Sequence, residues 1–213
     1  MNIKAAIFDC DGTILNSMWF WPMVGDIYLK KRGITPPADL YAHLKPLTII
    51  EMATYLKEHF DLPETVKELV EQVNAVVREK YEKEFPLKEG AIEVFENLKS
   101  RGIRMYLATA TDRYLIEPAF KRLGLDKYFE GMITCTEAGE GKSSPKIYLE
   151  AMKRLLASPN ETIIVEDALH AVETCVNAGF FTVAVADVST VKDSEEIKKI
   201  ASVYYETLKD WSL

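Results

Sequence analysis

From Pro86 onward the apolar positions switch repeatedly between two periods. Ala91, Val94, Phe95 and Leu98 recur at helical spacing until Gly102, and the apolar run 105–108 then reads as a strand ending in Thr109. A helical stretch over 114–123 stops at Gly124, and a short apolar stretch follows at 132–134. Ser144 and Pro145 form an N-cap and first-turn pair for a helix reaching Leu155. Residues 162–165 and 181–185 read as two more strands, separated by a helix ending at Ala178 and Gly179, and residues 3–8 read as another strand. Alternation of this kind predicts a doubly wound α/β core, a parallel sheet with helices on both faces. Such sheets bind ligands outside the carboxyl ends of their strands.

Residues 16–85 break the alternation and read as helices only. One is expected over 19–31. A second opens at Thr48, with Glu51 three residues on in a capping-box arrangement. A third starts at Pro63, its apolar positions Val66, Leu69, Val70, Val73, Val76, Val77 and Tyr81 recurring at helical spacing. An all-helical insert after the first strand is a lid candidate.

Composition narrows the function classes. Of 213 residues 48% are apolar, enough for a substantial core, and no apolar run approaches the roughly 20 residues of a membrane span. No basic and apolar leader precedes the first strand, so a cytoplasmic location is expected. Cys10, Cys135 and Cys175 have neither metal-ligand spacing nor a disulfide framework and are expected to be inert. A net charge of −7 argues against nucleic acid or an anionic membrane as partner. It leaves room for a small anionic substrate, because a divalent cation and one lysine can reverse the local field. The histidines His43, His59 and His170 share no spacing that suggests a site, and His170 falls near the expected site mouth.

The candidate chemistry lies where strands end. Asp9 and Asp11, spaced i, i+2 after the first strand, point the same way, so one can act as nucleophile while the other trades protons. Gly12 lets the backbone approach a ligand closely, and Thr13 follows it. Thr109 ends the second strand, Lys142 sits in the polar stretch 139–144, and Glu166 with Asp167 ends the strand at 162–165. In this order the four features resemble the motifs of the haloacid dehalogenase-like superfamily, in its phosphatase and phosphomutase branch, over essentially the whole chain.

That resemblance implies a Rossmann-like core (residues 1–15 and 86–213) with an inserted helical cap (16–85) that closes over the active site. It implies that Asp9 attacks the phosphorus of a phosphomonoester to form an aspartyl-phosphate, and that Asp11 protonates the leaving group and deprotonates the water. Mg²⁺ would be held by Asp9, Asp167 and the main-chain carbonyl of Asp11, with Glu166 supporting the metal shell. Thr109 and Lys142 would bind the transferring phosphoryl group.

The resembled phosphomutases carry a histidine in the first cap helix and a basic residue after a cap Leu-Lys-Gly motif. Here the matching regions offer Trp21 and the run Leu44, Lys45, Pro46, Leu47, Thr48, Ile49. Trp21 and Lys45 are therefore candidate pocket residues, and hydrolysis is favoured over mutase activity. Asn16, Ala168 and Ala171 also depart from the common pattern without removing a catalytic group. The expectation is a monomeric Mg²⁺-dependent hydrolase of a small phosphorylated metabolite. A hexose-phosphate mutase and a phosphate-binding module without turnover are the alternatives. A dehalogenase fits less well, because that chemistry dispenses with Asp11.

Overall fold

The computed structural model describes residues 2–44, 47 and 49–213. Along the chain come β1 (Ala5–Phe8), the helices α1 (Val24–Lys31), α2 (Leu40–Leu44), α3 (Ile49–His59) and α4 (Val66–Lys83), and then α5 (Ala91–Ser100). They are followed by β2 (Arg104–Thr109), α6 (Arg113–Arg122), β3 (Phe129–Thr134), α7 (Cys135–Ala138), α8 (Lys146–Arg154) and β4 (Thr162–Glu166). Last are α9 (Leu169–Asn177), β5 (Phe181–Val185), α10 (Ser194–Ile200) and β6 (Val203–Tyr205). No helix among the described residues is long and apolar enough to cross a membrane.

Among the described residues, six strands form one parallel sheet in the order β3-β2-β1-β4-β5-β6. This is a doubly wound α/β fold, and its order reverses between β1 and β4. At such a switch point the connections leave in opposite directions and a crevice opens outside the strand ends.

Side-chain parity divides the core. Ala5 and Ile7 of β1 and Ile164 of β4 pack with Ile147, Tyr148 and Ala151 of α8, with Leu155 just after it and with Cys175 of α9. Phe8, one residue out of phase, meets the other face, where Phe95 of α5 and Phe129 of β3 stand edge-on at 5.5 and 5.8 Å between ring centres. The pairing of Phe8 with Val165 sets Asp9 level with Glu166. By the same parity both acids belong to the α8 and α9 side of the sheet.

The chain divides into two compact units, Met1–Met18 with Phe85–Leu213 and Trp19–Glu84. Residues 16–18 belong to the sheet unit because Asn16 N donates to Pro86 O at 2.9 Å and Leu15 pairs antiparallel with Leu87. In the helical unit α4 packs against α1 and α3 and buries Leu69, Val73, Val76, Val77 and Tyr81.

Several local boundaries differ from the sequence expectation. The helix expected from Pro63 starts at Val66, because Thr65 and Glu68 make a reciprocal capping box that satisfies two otherwise orphaned donors. The helix expected from residue 19 begins at Val24, after a 3-10 turn over Trp21–Met23 that carries Pro22. Pro145, rather than Ser144, is the N-cap of α8, although Ser144 Oγ still accepts from Lys146 N at 3.3 Å. The short elements α2 and β6 were not foreseen, being too brief to show a period. Thr48, the expected cap of α3, lies outside the described residues.

Candidate active site

The site is built on the ends of β1, β2 and β4. After Phe8 the backbone turns tightly, with Ile14 N and Leu15 N both donating to Cys10 O at 3.0 and 2.8 Å. Gly12 makes the turn possible at φ 85°. A Cβ there would lie 2.4 Å from Asp167 Oδ2, so only glycine fits against that carboxylate. Thr13 completes the contact by donating its hydroxyl to Asp167 Oδ1 at 3.1 Å.

Asp9, Glu166 and Asp167 are all buried, and one oxygen from each lies within 4.8 Å of the others. Lys142, from the loop before α8, donates its ammonium to both Asp9 Oδ1 and Glu166 Oε1. Glu166 Oε1 also accepts from Tyr148 Oη at 2.7 Å, and Glu166 Oε2 accepts from Asp167 N at 3.2 Å.

Burial and crowding set the charges. Desolvation lifts the Asp9 carboxyl to about 6, against the pull of Lys142, and lifts Asp167 well above the usual carboxylate range, helped by the charges of Asp9 and Glu166. Burial works against the Lys142 ammonium, yet Asp9 and Glu166 together hold it above its ordinary value, so it stays charged. One lysine facing three carboxylates leaves negative charge uncompensated. Hard oxygen donors at this spacing suit a small divalent cation, and the donor set therefore fits Mg²⁺.

Asp11 is held differently. Its Oδ1 accepts from Ser17 Oγ at 2.6 Å and its Oδ2 from Thr111 Oγ1 at 2.7 Å. Its carboxylate is not among the three grouped ones. Thr109, buried at the end of β2, accepts from Thr111 N at 3.1 Å, so the loop after β2 touches Asp11 through one threonine and is shaped by the other.

Of the residues singled out in the sequence, Asp9, Lys142, Glu166 and Asp167 come together in one buried cluster, with Asp11 and Thr109 at the neighbouring loops. Lys146, four residues after Lys142, is by contrast exposed and paired with Glu140 at 3.1 Å. Trp21 lies part-buried in the 3-10 turn of the helical unit, and Lys45 lies outside the described residues. His170 stands in the first turn of α9, lowered from its usual value by desolvation and by the Lys142 charge. Burial raises all three thiols, which disfavours thiolate chemistry. Sequence reasoning missed Ser17, Thr111 and Tyr148 and the role of Thr13, whose contacts no local spacing announces.

The sequence and the fold both have recognisable relatives. The family model of haloacid dehalogenase-like hydrolases matches residues 3–179. The chain belongs to that family of hydrolytic enzymes, and relatives similar to it are named as phosphatases. It is 26% identical over 180 residues to a phosphorylated carbohydrates phosphatase of Thermotoga maritima, covering 83% of this chain and 82% of that one. It is 27% identical over 203 residues to the pyrophosphatase PpaX of Bacillus mycoides, covering 87% and 85%. In fold it is similar to CbbY from Rhodobacter sphaeroides in complex with phosphate, with a TM-score of 0.80 at 21% identity over 98% of this chain and 96% of that one.

Proposed function

We propose that the protein is a Mg²⁺-dependent phosphomonoesterase acting on a small phosphorylated metabolite. The observation that carries this is the buried meeting of Asp9, Lys142, Glu166 and Asp167 at the sheet's switch point, with Asp11 oriented beside it.

The carboxylates of Asp9 and Asp167 and the main-chain carbonyl of Asp11 would hold the cation, which offsets the repulsion between Asp9 and an incoming phosphate dianion. Asp9 attacks phosphorus in line with the leaving oxygen. A P–O bond to Asp9 forms as the ester P–O bond breaks, and Asp11 gives its proton to the departing alkoxide. Water then attacks the same phosphorus, Asp11 takes the water's proton, and Asp9 is regenerated with release of phosphate. Lys142 neutralises the phosphoryl oxygens, and Thr109 donates a hydrogen bond to them, contributions that for such groups are often about 10²-fold each in rate.

Sugar phosphates head the substrate list, because a relative is named for phosphorylated carbohydrates. Phosphate release from p-nitrophenyl phosphate and from sugar, nucleotide and pyrophosphate substrates, with Mg²⁺ or with chelator, tests the proposal. Mg²⁺-dependent release is expected. No release from any of them by folded, Mg²⁺-binding protein would overturn it.

A further inference from the structure

Tyr148 is the residue of this cluster that the proposed chemistry leaves without a task. It is fully buried on α8, among Ile147, Ala151 and Cys175, where a phenylalanine ring would fill the same space. A buried hydroxyl must be hydrogen-bonded to be tolerated, and this one is spent on Glu166 Oε1 at 2.7 Å. The same oxygen receives the Lys142 ammonium, which lies 5.9 Å from the centre of the Tyr148 ring.

Lys142 therefore has two acceptors, Asp9 and Glu166, and Glu166 Oε1 has two donors, Lys142 and Tyr148. For Asp9 to attack phosphorus, Lys142 must loosen its hold on Asp9 and turn to the phosphoryl oxygens. Glu166 is the anchor about which it turns. With Asp167 N on Oε2 and Tyr148 on Oε1, that anchor is fixed at both oxygens and stays hydrogen-bonded while the lysine shifts.

We infer that Tyr148 is a positioning residue: its hydroxyl fixes the Glu166 carboxylate, and through it aims Lys142 and keeps Asp9 and Asp167 free for the cation. This rests on the phosphatase reading above. It assigns work to a residue that touches neither substrate nor metal.

The test compares Tyr148→Phe with wild type in steady-state kinetics and, on chelator-stripped protein, in calorimetric Mg²⁺ titration. Loss of a hydrogen-bonding partner behind the ligands typically costs about 10- to 100-fold in activity or metal affinity. The expected result is kcat lowered within that range, KM changed by less than about twofold, and weaker Mg²⁺ binding. In a Glu166→Gln background Tyr148→Phe should add little further loss, since its route is gone. Tyr106→Phe is the matched control. It also removes a buried hydroxyl from the same core, one bonded to Met132 O at 3.3 Å, and should lower the melting temperature while leaving kcat and Mg²⁺ binding unchanged. Wild-type kcat and Mg²⁺ affinity in Tyr148→Phe, or losses as large in the Glu166→Gln background as without it, would overturn the inference. If wild type releases no phosphate at all, the phosphatase reading fails separately, and the Mg²⁺ titration still decides the role of Tyr148.

Discussion

Thr111 donates its hydroxyl to Asp11 Oδ2 at 2.7 Å across 100 residues of sequence. With Ser17 on the other oxygen at 2.6 Å, it fixes the plane of the carboxylate proposed to move protons. Thr111→Val should lower kcat about tenfold with KM little changed, because proton transfer depends on orientation while Ser17 still holds one oxygen. The loss should be larger for sugar phosphates, whose leaving alkoxides need a proton, than for p-nitrophenyl phosphate. Equal losses on both substrates would remove the acid role from Asp11.

Gly12 faces Asp167 with φ 85° and no space for a Cβ. Gly12→Ala should therefore destabilise the protein by about 1–3 kcal/mol and displace Asp167. Urea unfolding reads the first effect and Mg²⁺ titration the second. A variant of wild-type stability and metal affinity would show that the turn can relax.

Lys88 and Asp187 form an ion pair at 2.8 Å with side chains only 14% and 2% exposed. Asp187 also accepts from Ser189 N and Oγ at 2.9 and 2.8 Å, and its charge adds to the negative field that raises Asp167. Lys88→Met leaves a buried carboxylate unpaired, and a loss of about 3–5 kcal/mol in denaturant unfolding is expected. Lys88→Met with Asp187→Asn should recover part of it. A loss under about 1 kcal/mol for Lys88→Met would mean that the serine contacts suffice.

At the amino-terminal ends of the central strands β1 and β4, Lys4, and after it Ser158, holds the Glu161 carboxyl down from 4.5 to about 2. Folding thus favours the ionised form. The contribution is complete above pH 4.5 and disappears as pH falls through about 2. The difference in urea midpoint between wild type and Glu161→Gln should be constant near neutrality and shrink across that window. A difference independent of pH would contradict it.

Much of this architecture is legible in the sequence. The alternation after Pro86 and the strand-end positions of Asp9, Glu166 and Asp167 follow from local pattern, because a buried parallel strand is an apolar run and its end is where polar residues reappear. The Thr65 and Glu68 capping box is equally visible in the sequence, but the rigid ring of Pro63 puts the expected helix start three residues too early. Tyr148 belongs to an apolar stripe of α8 and carries no mark of its hydroxyl's partner, which β4 brings to it from 18 residues away. Ser17 and Thr111 are likewise ordinary loop residues until the tight turn after β1 and the loop after β2 converge on Asp11. Contacts of this kind are set by tertiary approach, and no period in the chain encodes them.

The most direct measurement is capture of the phosphorylated enzyme. Protein mixed with Mg²⁺ and a substrate that it turns over would be acid-quenched within the first turnover, reduced with borohydride and digested for mass spectrometry. The account requires homoserine at position 9 in wild type and none in Asp9→Asn, which should also release no phosphate. Phosphate release by Asp9→Asn at the wild-type rate, or an adduct on any other residue, would contradict it.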